Sequence, residues 1–218
     1  AMFAIAAFAL PGLKSRFTTS QLLMMAMLIT AVGQVLRVLG GPASLVSGSV
    51  LALFAIGITN ALLPLAVREY FPNRVGAMST TYLTTSQVAQ SLAPVVAVPL
   101  SVWATQMGLT GWRWSLGSWA LLGLVAALTW LPLLTTPAPR TGVATPVPAM
   151  RVPVWKTPVG IGLGLMFGFT SFATYSLMTF LPQMVTDPAL GAALLGWWSL
   201  LGISLNIIGP WVASRMRN

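Results

Sequence analysis

Long apolar runs that alternate with short loops constrain the fold of this chain more than any other feature. Each run is long enough to cross a hydrocarbon core of about 30 Å as a helix. Positive charges gather in every second loop, at 11–20, 68–76, 135–157 and 214–218, and the other loops hold none apart from Arg113 at a helix edge. The positive-inside bias therefore predicts that the four basic loops face the cytoplasm. The six runs cover 21–39, 45–67, 77–104, 113–134, 158–181 and 190–213.

The composition excludes several classes of protein. With 56% hydrophobic and 6% charged residues, a soluble globular domain is ruled out. The net charge of +9 lies in loops beside the runs, where lipid headgroups account for it, so no nucleic-acid partner is expected. The sequence has no Cys and no His, which removes disulfides, the usual zinc sites and His-based catalysis. We therefore expect no catalytic residue, metal or cofactor, and an all-α, polytopic transmembrane bundle.

The longest loop divides the chain into two parts. This loop, 135–157, is dense in proline, which favours extended backbone over helix. We therefore predict that 1–134 and 158–218 belong to two helical bundles joined by a cytoplasmic linker. Residues 1–10 are apolar but too short to span a membrane. They lack the charged segment that precedes the apolar part of a signal peptide, so a signal peptide is not expected. They are expected to be the cytoplasmic half of a helix that begins before this chain.

A short internal repeat supports two related halves. The pattern Pro-x-x-x-Ser-Arg occurs from Pro11 to Arg16 and again from Pro210 to Arg215. Each copy leaves the cytoplasmic end of a helix for a basic loop, and six runs separate the two copies. So short a match can arise by chance, but its placement favours parallel repeats of six helices, which one large class of transporters has.

Three stretches carry a resemblance to a known family. They run from Asn60 to Met78, from Gly111 to Leu116 and from Tyr175 to Pro182. The first contains Leu-Pro before a basic Phe-Pro loop, and the second contains Trp-Arg-Trp. Together they resemble the cyanate/nitroimidazole-type transporter branch of the major facilitator superfamily, over most of 20–185. The resemblance implies a fold of twelve helices, of which this chain would cover the end of helix two through helix eight.

Polar side chains inside the runs are the candidate solute contacts. Asn60 lies near the middle of the second run, where an unpaired amide in lipid is costly. Two stripes of polar residues extend along the third run, with Gln87 in one and Gln90 in the other. Interhelical hydrogen bonds explain one stripe, whereas two stripes indicate contact with a water-filled cavity. With Tyr175 of the fifth run, these residues form the predicted substrate-binding set; structural hydrogen bonding is the alternative for each.

Charged residues at the cytoplasmic ends of the runs form a second candidate group. Glu69 is expected to pair with Arg74 or with a basic loop of the other half, because Arg68 is its direct neighbour in the chain. Charge pairs at such ends can hold a cytoplasmic gate closed. Arg37, near the outer end of the first run, either snorkels to the interface, or pairs across helices or faces an anionic solute. The gating or loop residues are Lys14, Arg16, Arg68, Glu69, Arg74 and Arg215.

The function that these features predict is secondary transport by alternating access, in the bacterial cytoplasmic membrane. The partners would be the lipid bilayer and a small solute, which the resemblance implies to be anionic or of nitro or cyanate type; the protein is expected to be monomeric. The complete runs hold no mid-membrane Asp or Glu, so proton coupling would use other helices or be absent. A structural or assembly subunit is one alternative. An integral-membrane enzyme is the other alternative. The complete runs of this chain, however, lack the buried His, Cys, Asp and Glu that such an enzyme usually needs.

Overall fold

A computed structural model describes residues 2–135 and 157–216 of the chain. The proline-rich linker predicted at 135–157 lies, apart from its two end residues, outside these described residues. Throughout the described ranges the regular structure is helical and no strand occurs, which confirms the predicted all-α class. The α-helices are α1 (Met2–Lys14), α2 (Thr19–Leu39), α3 (Pro42–Tyr70), α4 (Val75–Gln106), α5 (Gly111–Thr129), α6 (Leu131–Thr135), α7 (Pro158–Phe180) and α8 (Pro188–Met216).

Local sequence signals explain where several helices begin. At the start of α2, the Thr18 hydroxyl accepts a hydrogen bond from the Gln21 backbone N–H, and the Gln21 side chain accepts one from the Thr18 N–H. This reciprocal capping box satisfies two donors that the first helical turn leaves without partners. Pro42 opens α3 and Pro158 opens α7, positions at which the missing proline N–H costs nothing.

Helices of membrane-spanning length account for the apolar runs. By length and hydropathy alone, five stretches of the described chain qualify as spans, and each contains one of the first five runs. The sixth run lies within α8, which is helical from Pro188 to Met216. The five qualifying stretches are Thr19–Leu39, Pro42–Tyr70, Pro72–Gln106, Gly111–Leu134 and Pro158–Met184.

The chain forms two compact units, and the first comprises Ala1–Thr85 and Val96–Arg140. In this unit α2 packs against α3 and α5, and α1 packs against α3. The backbones of α2 and α3 meet at two glycines. A Cβ on Gly48 would lie 2.6 Å from the Gly33 carbonyl oxygen, and one on Gly33 would lie 2.8 Å from the Ala52 nitrogen. Small residues therefore allow the close backbone approach on which helix association in lipid depends.

The second unit comprises Ser86–Val95, in the middle of α4, and Thr141–Asn218. Here Gly191 of α8 lies against Pro182, which belongs to the 3-10 turn Leu181–Met184 after α7. Helix α7 has no buried residue within the described part of the chain. Its apolar side chains are therefore available to lipid or to helices that the described residues do not include.

Candidate functional site

Gln87 reaches from the middle of α4 to the backbone of α8. Its side chain is half-buried, and its amide nitrogen occupies the space that a Cβ on Gly202 would need. One turn further along α4, a Cβ on Gly196 would lie 3.1 Å from the Ser91 carbonyl oxygen. The glycines of α8 thus make room for this part of α4. Gln87 takes part in helix packing within the second unit, and its role as a solute contact stays a prediction.

Gln90 and Ser86 lie on an exposed face of the same helix. The Gln90 side-chain nitrogen donates a hydrogen bond to the Ser86 hydroxyl at 3.2 Å, and both residues are exposed. This bond stays within α4, so Gln90 does not tie α4 to another described helix. An exposed pair of polar groups at mid-helix requires water or a polar partner, since hydrocarbon satisfies neither.

Thr84, in the first unit, adds a polar group of a different kind to α4. Its hydroxyl oxygen is buried and has no hydrogen-bond partner among the described residues. A buried hydroxyl of this kind ordinarily bonds to its own helix or to a neighbour. The polar side chains of α4 therefore do not all form interhelical hydrogen bonds.

Asn60 of α3 is exposed in the first unit, and its side-chain amide bonds to none of the described residues. Its neighbour Thr59 behaves differently, because it is buried and its hydroxyl donates to the Ala55 carbonyl oxygen at 3.2 Å. In the second unit, the Tyr175 side chain of α7 is 59% exposed. The predicted approach of Asn60 and Tyr175 to a common solute stays a prediction.

At the predicted cytoplasmic end of the first unit, Glu69 pairs with Lys14. The Lys14 ammonium donates to a Glu69 carboxylate oxygen at 3.0 Å and also donates to the Thr19 hydroxyl. The expected partner of Glu69 was Arg74 or a basic loop of the other half, and that expectation was wrong. Helix α1 packs against α3 and brings Lys14 to Glu69, whereas Arg74 lies beyond the break at Phe71 and is exposed.

A second contact holds the same helix ends together. The hydroxyls of Ser20 and Tyr70 form a hydrogen bond, and the ring of Tyr70 lies edge-on to Trp130 with 6.3 Å between centroids. These residues join α2, α3 and the end of α5. Sequence reasoning missed them because nothing in the local pattern distinguishes Ser20 or Tyr70 from other residues at the ends of spans.

The Lys14–Glu69 pair borders a polar cavity of about 510 Å³. Arg16 also lines this cavity, together with Thr18 and Tyr70. Arg68 and Arg74 are exposed on the same unit, and Arg215 is exposed near the end of α8 in the second unit. Of the predicted gating residues, the structure brings together Lys14, Arg16 and Glu69.

The family of the chain follows from its sequence as well as from its helices. Residues 97–218 match the family described as "Uncharacterised MFS-type transporter YbfB". Because this match covers more than half of the chain, the chain belongs to that family of the major facilitator superfamily.

Two curated relatives agree with this family. The chain is 29% identical to the uncharacterized transporter YycB of Bacillus subtilis (strain 168) over 99% of this chain and 53% of the relative. It is 25% identical to the 2-nitroimidazole transporter of Escherichia coli (strain K12) over 78% of this chain and 42% of the relative. The chain thus spans about half the length of these relatives. No solved structure matches it. The resemblance to the nitroimidazole-type branch is confirmed.

Proposed function

We propose that this chain forms part of a secondary transporter that moves a small solute across the bacterial cytoplasmic membrane by alternating access. The exposed polar face around Gln90 is the observation that carries this proposal, since a mid-helix amide in lipid would be unsatisfied. A water-filled path beside α4 gives that face the polar partner it needs. Membership of a transporter family supports the same function.

The chemistry of the proposed contacts favours a solute with oxygen or nitrogen acceptors. Asn60, Gln87 and Gln90 offer amide N–H donors, and Tyr175 offers a hydroxyl. Neutral donors of this kind suit a nitro group or a small anion such as cyanate. That one relative is named a 2-nitroimidazole transporter supports this solute class.

The cytoplasmic cluster is proposed to act as a gate. Lys14 and Glu69 join α1 to α3 at the end where the basic loops lie, and Arg16 stands beside them. Both residues belong to the first unit, so the pair would fix the cytoplasmic ends of α1 and α3 as one side of the gate. Loosening those ends would change the balance between the inward-open and outward-open states. Arg68, Arg74 and Arg215 would supply basic partners in other states of the cycle.

The helix order of the superfamily gives the proposed arrangement. Residues 1–134 would form part of the N-terminal bundle, 135–157 the cytoplasmic linker, and 158–218 the first two helices of the C-terminal bundle. Asn60 and Tyr175 would then lie in opposite halves, on two sides of one solute. The protein is proposed to act as a monomer and not as an enzyme.

Uptake by the full-length protein in proteoliposomes tests the proposed function. We expect uptake of 2-nitroimidazole or cyanate, and a decrease of about three- to tenfold for Gln90→Leu, as the loss of one or two hydrogen bonds predicts. Gln106→Leu is the matched control, because Gln106 is an exposed glutamine at the end of the same helix. Normal uptake by Asn60→Leu, Gln87→Leu, Gln90→Leu and Tyr175→Phe alike would place the solute path elsewhere.

A further inference from the structure

An apolar groove runs between α2 and α5 on the surface of the first unit. Its volume is about 760 Å³. Val32, Leu39 and Leu121 line it and are 58%, 70% and 66% exposed. Both helices have membrane-spanning length, so in a bilayer these side chains would face hydrocarbon rather than water. An acyl chain can lie along such walls without desolvating a polar group.

A positive charge lies at one end of this groove. Arg113 lines the groove, donates from one terminal guanidinium nitrogen to the Gly40 carbonyl oxygen at 3.1 Å, and lies 5.3 Å from the ring centroid of Trp112. The Nε of Arg113 is buried and has no hydrogen-bond partner among the described residues. Its guanidinium is therefore held in place but incompletely satisfied.

A second arginine, Arg37, lies near the same end of α2, against Gly48 of α3 and not among the residues that line the groove. Arg37 is half-buried, donates to the Gln34 side chain at 3.0 Å, and its Nε also lacks a partner among the described residues. The chain has two acidic residues, of which Glu69 pairs with Lys14 and Asp187 accepts from the Ala189 N–H. Within the described residues, therefore, no carboxylate neutralises either arginine. The positive charges at this end of α2 therefore favour the binding of an anion that does not belong to the chain.

We propose that the groove between α2 and α5 binds an anionic phospholipid, with the phosphate at Arg113 and an acyl chain along Val32 and Leu121. The lipid belongs to the leaflet opposite the basic loops, because Arg113 begins α5 at the end of the unit away from Lys14. A free anion would leave the apolar walls unused, and an uncharged lipid would leave Arg113 without a counter-charge. None of the proposed solute contacts lines this groove, so the inference does not depend on what the protein transports.

Lipid retention by the full-length protein tests this site. The probes are phosphatidylglycerol and phosphatidylcholine, added to the purified protein in detergent and counted as bound adducts by native mass spectrometry. Arg113→Gln should lower phosphatidylglycerol affinity about tenfold, which is the effect of losing a charge-assisted hydrogen bond. Arg68→Gln, which removes an exposed arginine at the other end, should leave it unchanged.

A second pair of variants tests the groove itself without removing a charge. Leu121→Trp fills the groove from a position that is 66% exposed, and Leu128→Trp makes the same change on the same helix at a 52% exposed position outside the groove. We expect the first to reduce phosphatidylglycerol binding and the second to have no effect. Equal retention of the two lipids, or unaltered binding by both Arg113→Gln and Leu121→Trp, would overturn the proposal. So would a dimer that Leu121→Trp dissociates, because a second copy would then occupy the groove.

Discussion

At the scale of single residues, the structure distinguishes side chains that look alike in the sequence. Gln87 and Gln90 are three positions apart, yet Gln87 reaches the backbone of α8 and Gln90 bonds only within its own helix among the described residues. Hydropathy and spacing predicted both as solute contacts. Distinguishing them requires the position of α8, which periodicity within one helix does not supply.

Replacing Glu69 tests the cytoplasmic ion pair. Glu69→Gln removes the partner of Lys14, and both side chains are about 30% exposed, so the loss of stability should stay below about 1 kcal/mol. The conformational balance should nevertheless shift toward the inward-open state. Reaction of an engineered cysteine in the cavity with a thiol reagent, measured from each side of the membrane, reports that balance.

Asp187→Asn provides the control for this prediction. It makes the same change from carboxylate to amide at an exposed residue just before α8 that has no part in the proposed gate. We expect cysteine accessibility in Asp187→Asn to match the parent protein. If accessibility in Glu69→Gln also matched the parent protein, the pair would have no role in gating.

At the scale of helices, hydropathy predicted which segments form helices and about how long they are. It did not predict which side chains of different helices contact one another. Each apolar run lies inside one helical stretch, which for 113–134 comprises both α5 and α6, because spanning length and mean hydropathy are properties of the local sequence. Lys14 and Glu69 are 55 positions apart, and Ser20 and Tyr70 are 50 apart. Such partners depend on how α1, α2 and α3 pack, which loop lengths and charge counts do not determine.

The contact between α2 and α3 gives a prediction at this scale. Gly48→Ala would place a methyl group 2.6 Å from the Gly33 carbonyl oxygen and 2.6 Å from the Arg37 backbone nitrogen. Because backbone atoms cannot move aside without shifting a helix, we expect a destabilisation of about 1–3 kcal/mol from overpacking. Thermal unfolding of the purified protein measures this effect.

Gly162→Ala is the matched control, because no heavy atom of the described residues lies within 4 Å of a Cβ at that helical position. There the substitution should be neutral or stabilising by up to about 1 kcal/mol, as expected for alanine in place of glycine in a helix. Equal stability of Gly48→Ala and Gly162→Ala would mean that α2 and α3 do not need their close approach at Gly48.

At the scale of the whole molecule, the charge distribution leads to the proposed orientation, and family membership supports the proposed function. The basic loops alternate with loops nearly free of Lys and Arg, and the chain belongs to a family of membrane transporters. The orientation is a prediction from the positive-inside bias. The structure describes each unit by its own contacts, and the alternating-access cycle remains a proposal.

Cysteine labelling tests this orientation. The chain contains no Cys, so single cysteines at Arg74 and Met107 report the two predicted faces once any cysteine elsewhere in the protein is replaced. An impermeant thiol reagent added to intact cells should label position 107 and spare position 74. The reverse pattern would invert the predicted topology.

Solute protection at Gln90 tests the central claim most directly, that the exposed polar face of α4 lines the path of a small solute. A single cysteine at position 90 of the full-length protein should react with a small hydrophilic thiol reagent, and 2-nitroimidazole or cyanate should slow that reaction. A cysteine at Gln106, on the same helix but at its end, should react at one rate with or without solute. A cysteine at position 90 that does not react, or that reacts equally fast with every solute present, would contradict the account.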